Sequence, residues 1–180
     1  MDKITLKDKT FKPFIPYQKI QEAIDSLAAR VNSDFASCED VPVFLCVLNG
    51  AIMFTSEMMK RLNFPAELIS IKLSSYEGTH STGTVLIPMG LTGDVKGKRV
   101  IIFEDIVDTG NTIVALKDLL LQKGASEVRI CTMILKSDVY DKDEKLDYVA
   151  MEIPDAFIVG FGLDYDELGR NLKDIYVIDK

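Results

Sequence analysis

Apolar residues along this chain occur in short continuous runs, and between these runs they recur at helical spacing. The runs are typical of strands that are buried on both faces of a sheet. They predict strands at residues 43–48, 66–73, 84–89, 99–104, 128–135, 157–161 and 175–178. Helical spacing predicts helices at residues 17–31, 51–62 and 113–123. Buried strands that alternate with helices indicate an α/β fold with a doubly wound, mainly parallel sheet and helices on both faces.

The segment from Val100 to Thr112 carries the strongest chemical signal. Glu104 and Asp105 directly follow the predicted strand, and a short polar turn then leads into the predicted helix. Ligands of α/β proteins bind at the edge where the strands end, and a helix N-terminus at that edge favours an anion. We therefore expect this segment to form a ligand site.

The two ends of this segment suit different parts of a ligand. Ionised Glu104 and Asp105 only accept hydrogen bonds, so they suit sugar hydroxyls or a hydrated divalent metal. The turn is small and polar, and it consists of Asp108, Thr109, Gly110, Asn111 and Thr112. Gly110 has no Cβ that would block a phosphate from the backbone, and the threonine hydroxyls can donate to phosphate oxygens. A ribose 5-phosphate would satisfy both ends.

Length, composition and charge narrow the class of protein. A chain of 180 residues that is 47% hydrophobic and 27% charged is expected to form one domain over residues 1–180. The net charge of −7 argues against nucleic acid as a partner, because phosphate neutralisation needs clustered lysine and arginine. No apolar stretch is long enough to span a membrane, and the first residues lack the apolar region of a signal peptide. We expect a cytoplasmic protein with no membrane partner.

The cysteine and histidine content argues against several kinds of site. Cys38, Cys46 and Cys131 are an odd number with no close spacing, so they predict neither a disulfide framework nor a zinc site. His80 is the only histidine, which leaves Ser–His and Cys–His nucleophilic schemes without support.

The two acids and the Asp-Thr-Gly-Asn-Thr turn resemble the phosphoribosyl-diphosphate motif of the type I phosphoribosyltransferases. From about Phe44 onward, further motifs resemble the hypoxanthine-guanine phosphoribosyltransferase family and follow its order. The resemblance implies that family's fold, with a small hood formed by the chain termini. It also implies a Mg²⁺ cofactor and a homodimer or homotetramer.

The resemblance assigns roles to residues in several parts of the chain. The turn 108–112 would hold the 5′-phosphate of the phosphoribosyl group. Residues expected at the pyrophosphate are Leu48, Asn49, Gly50 and Arg170. Residues expected at the purine are Lys136 at its 6-oxo group, Phe157 stacked on its ring, Ile158 through its backbone, and Asp164. Residues expected to hold the ribose hydroxyls or Mg²⁺ are Glu104 and Asp105, with Asp164 as a further metal ligand. The pair expected to close over the site is Ser75 and Tyr76.

The first loop raises two further points. In the family the peptide bond within this loop is often cis without proline, and the corresponding bond here is Leu48–Asn49. Asn49 and Asn111 stand where relatives often have lysine, so the affinity for the sugar diphosphate stays open.

The reaction implied is purine salvage, in which a 6-oxopurine displaces pyrophosphate from 5-phosphoribosyl-1-diphosphate. Asp108 would accept, or stabilise, a proton of the purine imidazole ring. A cationic donor at Lys136 favours an oxygen over an amino group at position 6, because two facing donors would both be left unpaired. The sequence leaves open which of hypoxanthine, guanine and xanthine is preferred.

Two alternative functions use the same acids. The first is a regulatory protein with this fold that binds the sugar diphosphate without chemistry, but such a protein should carry an added basic element. The second is a receiver-like or phosphohydrolase domain that uses paired aspartates on Mg²⁺. Its nucleophile pair is expected as Asp-x-Asp, whereas Asp105 and Asp108 are separated by two residues.

Overall fold

The computed structural model describes residues 2–75 and 85–179. Its helices are α1 (Tyr17–Phe35), α2 (Ile52–Met59) and α3 (Asn111–Gln122). Its strands are β1 (Ile4–Leu6), β2 (Lys9–Ile15), β3 (Val43–Leu48), β4 (Glu67–Ser75), β5 (Val85–Met89), β6 (Arg99–Val107), β7 (Glu127–Lys136), β8 (Tyr148–Ile153), β9 (Ile158–Val159) and β10 (Ile175–Ile178).

The larger sheet has the strand order β5-β4-β3-β6-β7-β8. Neighbouring strands from β4 to β8 in this order run parallel, and β5 alone is antiparallel to its neighbour β4. The carboxyl ends of the parallel strands therefore meet at one edge, with β6 in the middle of the sheet. This edge is where ligands bind in open α/β sheets.

Helices cover both faces of this sheet, as the hydrophobic pattern predicts. Helices α1 and α2 pack on one face, where α1 contributes a stripe of buried apolar residues that includes Ile20, Ile24 and Leu27. Helix α3 packs on the other face through Ile113 and Leu116. The predicted fold class is thus confirmed.

A second, four-stranded sheet of order β1-β2-β10-β9 joins the two ends of the chain. Strand β2 pairs antiparallel with β10, and Phe11 is fully buried in the small core beneath them. This sheet corresponds to the hood that the family resemblance implies.

Several element boundaries differ from the sequence prediction. Strand β6 continues through Glu104 and Asp105 to Val107, because Ile106 and Val107 extend its apolar run. The strand predicted at 157–161 shrinks to Ile158–Val159, because the next three residues all have positive φ. Helix α2 ends at Met59 instead of residue 62. Within the described residues, no helix is long and apolar enough to cross a membrane.

Candidate active site

The turn between β6 and α3 forms a cavity of about 240 Å³ at the carboxyl edge of the sheet. Gly110 precedes the first residue of α3 with φ of +85°, and no side chain caps the helix. The first N–H groups of α3 are therefore available to an anion. The cavity is lined by Val47, Leu48, Leu73, Glu104, Ile106, Val107, Asp108, Thr109, Gly110, Asn111, Thr112 and Ile113.

This cavity, which we call the phosphate cavity, is polar without being cationic. Among its lining residues in the described part of the chain, none is a lysine or an arginine. An anion would be held there by backbone N–H groups and by the hydroxyls of Thr109 and Thr112. Asn111 is the first residue of α3 and supplies an amide.

Glu104 and Asp105 are neighbours on β6 and project to opposite faces of the strand. Glu104 lines the phosphate cavity and is only 7% exposed, whereas Asp105 faces Gly50. Burial raises the pKa of both carboxyl groups, and for Glu104 the charge of Asp105 raises it further. Buried Glu104 and half-buried Asp105 suit a ligand that brings hydroxyl donors or a cation.

The loop after β3 lies directly against these acids. A Cβ on Gly50 would lie 1.7 Å from Asp105 Oδ2, so only glycine fits there without displacement of the carboxylate. The peptide bond between Leu48 and Asn49 is cis. Leu48 lines the phosphate cavity, so this loop forms one wall of it.

The C-terminal segment packs onto the same loop. A Cβ on Gly162, whose φ is +100°, would lie 2.1 Å from the carbonyl oxygen of Gly50. Arg170 Nη1 donates to the carbonyl oxygen of Gly162 at 2.9 Å, and its Nη2 pairs with Asp164 Oδ1 at 2.7 Å. The positive charge of Arg170 also acts to lower the pKa of Asp105, against the larger effect of burial. Arg170, which is expected at the pyrophosphate, thus contacts Asp164, which is expected at the metal. This contact lies beside the loop after β3.

Lys136 ends β7 and connects two acidic side chains. Its Nζ lies 2.9 Å from Asp108 Oδ2 and 3.0 Å from Asp155 Oδ1. The lysine is 9% exposed. Burial alone would lower the pKa of Lys136, but the hydrogen bonds to the two carboxylates outweigh it and raise that pKa. The ammonium is therefore charged at neutral pH.

A second cavity, of about 650 Å³, is lined in part by Lys136, and we call it the base cavity. Its wall includes Phe157, whose ring is 43% exposed and free to contact a planar ligand. Lys9 Nζ lies 5.3 Å from the centroid of that ring. The base cavity is lined by Lys9, Lys12, Lys136, Asp155, Ala156, Phe157, Val177 and Ile178.

The structure brings most of the predicted site residues to one edge of the sheet. Ile158, the first residue of β9, is buried and is paired with Val177 of β10. Ser75 is the last residue of β4, and Tyr76 lies outside the described residues. Within residues 2–75 and 85–179, no three acidic, cysteine or histidine side chains converge on a possible metal position.

The comparisons with known proteins agree with this geometry. A family model described as "Phosphoribosyl transferase domain" matches residues 16–166. This chain belongs to the phosphoribosyltransferase family. Among its relatives, the hypoxanthine-guanine phosphoribosyltransferase of Streptococcus pneumoniae is 35% identical over 174 residues, which are 96% of each chain. That of Aquifex aeolicus is 32% identical over 175 residues, 97% of this chain and 98% of its own.

Solved structures of the family have the same fold as this phosphoribosyltransferase. A hypoxanthine phosphoribosyltransferase from Staphylococcus aureus superposes with a TM-score of 0.86 at 34% identity, covering 93% of this chain and 91% of that one. A hypoxanthine phosphoribosyltransferase from Trypanosoma cruzi gives a TM-score of 0.87 at 29% identity over 98% of this chain and 95% of that one.

Sequence reasoning missed three charged residues of this phosphoribosyltransferase. Lys9 and Lys12 reach the base cavity from β2, and Asp155 reaches it from the residues after β8. The motifs contain no signal for Lys9 and Lys12, whereas Asp155 belongs to the segment 152–155 that resembles the purine-binding region of the family, without a role of its own. A prediction of β8 as a parallel neighbour of β7 would have placed Asp155 beside Lys136, since their strands end together.

Proposed function

We propose that this chain transfers the 5-phosphoribosyl group of 5-phosphoribosyl-1-diphosphate to hypoxanthine and guanine, giving IMP or GMP and pyrophosphate. The observation that carries this proposal is the position of Lys136. Lys136 lines the base cavity, and its ammonium contacts Asp108, which lines the phosphate cavity. A phosphoribosyl group and a base that occupy the two cavities would meet at these side chains.

Each cavity supports one half of the substrate pair. The backbone N–H groups at the start of α3, with Thr109 and Thr112, suit the 5′-phosphate. Buried Glu104 suits the ribose hydroxyls, since a hydroxyl donor would satisfy its oxygens. Phe157 offers a planar surface to the purine, and Lys136 offers a charged donor to its 6-oxo group. An adenine amino group would leave that donor unpaired.

The reaction requires a proton acceptor near the purine imidazole ring. Asp108 Oδ2 accepts from Lys136, and within the described residues its Oδ1 accepts no hydrogen bond. We assign Asp108 the role of holding the proton that leaves the ring as the new bond to ribose forms. The wall made by Leu48 and the loop after β3 limits the access of water to the anomeric carbon.

Mg²⁺ is the cofactor that these residues fit. Burial raises the pKa of Glu104 and Asp105, and a divalent cation would compensate two adjacent carboxylates there. We propose that Glu104 and Asp105 hold it, with Asp164 as a further ligand once it separates from Arg170. When bound, the ion neutralises charge on the departing pyrophosphate.

We further propose a cytoplasmic homodimer or homotetramer. The apolar side chains of Ile52 and Leu68 are 44% and 52% exposed and line one surface depression beside α2. Such exposed apolar surface favours contact with a second copy.

The test is an ultraviolet assay of the purified protein with 5-phosphoribosyl-1-diphosphate, Mg²⁺ and each of hypoxanthine, guanine, xanthine and adenine. We expect conversion of the first two bases and none of adenine. Asp108→Asn tests the proton acceptor. This variant keeps the size of the side chain and should lower turnover about 100-fold, because the proton acceptor is lost. Its KM for the sugar diphosphate should change little. No conversion by the wild-type protein would refute the proposed function, and unchanged turnover of Asp108→Asn would remove its assigned role.

A further inference from the structure

We propose that Asp155 is a positioning residue: it anchors Lys136 so that one N–H of the ammonium is directed at the 6-oxo group of the purine while Asp108 keeps an oxygen free for the imidazole ring. This inference rests on the proposed function and deepens it. It starts from the two ion pairs that Lys136 makes with carboxylates from different strands.

The first step is the count of donors on Lys136. An ammonium has three N–H donors. One is directed at Asp108 Oδ2 at 2.9 Å and another at Asp155 Oδ1 at 3.0 Å. One donor is left for a ligand in the base cavity, which Lys136 and Asp155 both line. Two fixed partners therefore determine where the third donor points.

The second step is the way the fold holds Asp155. Strands β7 and β8 are parallel neighbours, and Lys136 is paired with Ile153 at their carboxyl ends. Only Pro154 separates that pair from Asp155, and proline restricts the backbone there. Phe157 follows two residues later on the wall of the same cavity. One short segment thus supplies both the anchor of the lysine and the surface for the base.

The third step concerns what the pair with Asp155 contributes. The Asp155 side chain is 59% exposed, and ion pairs of exposed carboxylates stabilise folds weakly. The Lys136 side chain is 11% exposed, so it needs partners for its donors. Without Asp155, the position of the Lys136 ammonium would be fixed by its ion pair with Asp108 alone. Asp155 therefore acts on the placement of Lys136 more than on the stability of the protein.

The test compares Asp155→Asn, Asp155→Glu and a matched control, Glu152→Gln, on the same strand end. Glu152 is exposed and makes no ion pair with a described residue, so its substitution removes the same charge without touching Lys136. For Asp155→Asn we expect the KM for hypoxanthine to rise about tenfold, because one charge-assisted partner of the lysine is lost. The KM for the sugar diphosphate should stay within about twofold. Asp155→Glu should recover part of the loss, and Glu152→Gln should behave as wild type.

A pH profile separates positioning from a general structural effect. The groups that face Lys136 are Asp108 and Asp155, together with Lys9 and Lys12 across the base cavity. Loss of one carboxylate removes one of the two partners that raise the pKa of Lys136, so burial, which lowers that pKa, has more effect. The high-pH limb of kcat/KM for hypoxanthine should therefore move to lower pH in Asp155→Asn and stay in place in Glu152→Gln.

A readout that does not depend on activity keeps this inference distinct from the proposed function. Acylation of Lys136 by an amine-reactive ester at pH 9, mapped by peptide mass spectrometry, should be several-fold faster in Asp155→Asn than in wild type. If the wild-type protein transfers no phosphoribosyl group, the proposed function fails whatever the acylation rates. If the wild-type protein is active and Asp155→Asn changes neither the KM for hypoxanthine nor the acylation rate, the role of Asp155 is refuted. An equal rise of both substrates' KM values would also refute it.

Discussion

The phosphate cavity and the base cavity are linked by the ion pair of Asp108 and Lys136, yet they are built in opposite ways. Most residues of the phosphate cavity come from one continuous segment, 104–113, and no lysine or arginine is among its described lining residues. The base cavity draws on separate segments near both ends of the chain and carries three lysines, Lys9, Lys12 and Lys136.

On the proposed function, this difference corresponds to two ways to recognise a substrate. A phosphate can be bound by the backbone at a helix start, so a local sequence suffices. A purine would be recognised by side chains at its edge and faces, and the lining of the base cavity is assembled from β2, β7, β10 and the residues after β8. Substitutions in one cavity should therefore leave the other substrate's binding nearly unchanged.

The largest difference between the effects on the two substrates is expected for Lys136→Ala. It removes the charged donor to the 6-oxo group and leaves Asp108 and Asp155 without their shared cation. We expect kcat/KM for hypoxanthine to fall about 100-fold, while binding of 5-phosphoribosyl-1-diphosphate weakens far less. Steady-state kinetics, with titration calorimetry for the sugar diphosphate, measures both. Equal losses for the two substrates would contradict the division between the cavities.

A smaller effect, on the sugar diphosphate instead of hypoxanthine, is expected for Thr112→Val. This substitution removes a hydroxyl near the start of α3 and keeps the shape of the side chain. The KM for 5-phosphoribosyl-1-diphosphate should rise about fivefold through loss of one hydrogen bond. The KM for hypoxanthine at saturating sugar diphosphate should not change, and Thr5→Val on the distant β1 serves as the control. A rise confined to the KM for hypoxanthine would reverse the assignment of the two cavities.

The smallest effect concerns the stability of the ligand-free protein. Burial raises the pKa of Glu104 in the folded state, so the folded protein holds this proton more tightly than the unfolded chain. Its contribution to the free energy of unfolding is thus greatest below the ordinary glutamate pKa and is lost as pH rises through the raised value. Glu104→Gln should raise Tm by about 3 °C at pH 8, without metal or substrate, and the gap should narrow toward pH 4. A gap that stays constant with pH, measured by calorimetry, would exclude this cause.

Much of the fold follows from the hydrophobic pattern, because the parallel strands are buried on both faces and the helices have clear apolar stripes. The pattern did not predict β1, β2 or β8. Strand β2 mixes lysines with apolar residues, and Phe11 is its only buried side chain. Strand β8 is largely apolar in sequence, but only Tyr148 and Ile153 at its two ends are buried.

In the candidate site, residues that are neighbours in the sequence were predictable, whereas contacts that only the fold creates were not. The turn 108–112 was recognisable because all its residues are neighbours in the sequence. The contact of Asp155 with Lys136 was not, because the two residues lie 19 positions apart and meet only through the pairing of β7 with β8. The contact between Asp164 and Arg170 was also unforeseen, since the positive φ values after β9 decide where that segment turns.

The close stacking of Gly162 on the carbonyl of Gly50 has a consequence for how such enzymes diversify. Gly162 cannot gain a side chain unless Gly50, more than a hundred positions away in the sequence, shifts its backbone, and Gly50 cannot gain one unless the Asp105 carboxylate moves. Mutagenesis libraries that vary one of these glycines alone should yield mostly inactive clones. Productive redesign of substrate preference here would have to leave both untouched and vary the walls around Phe157 instead.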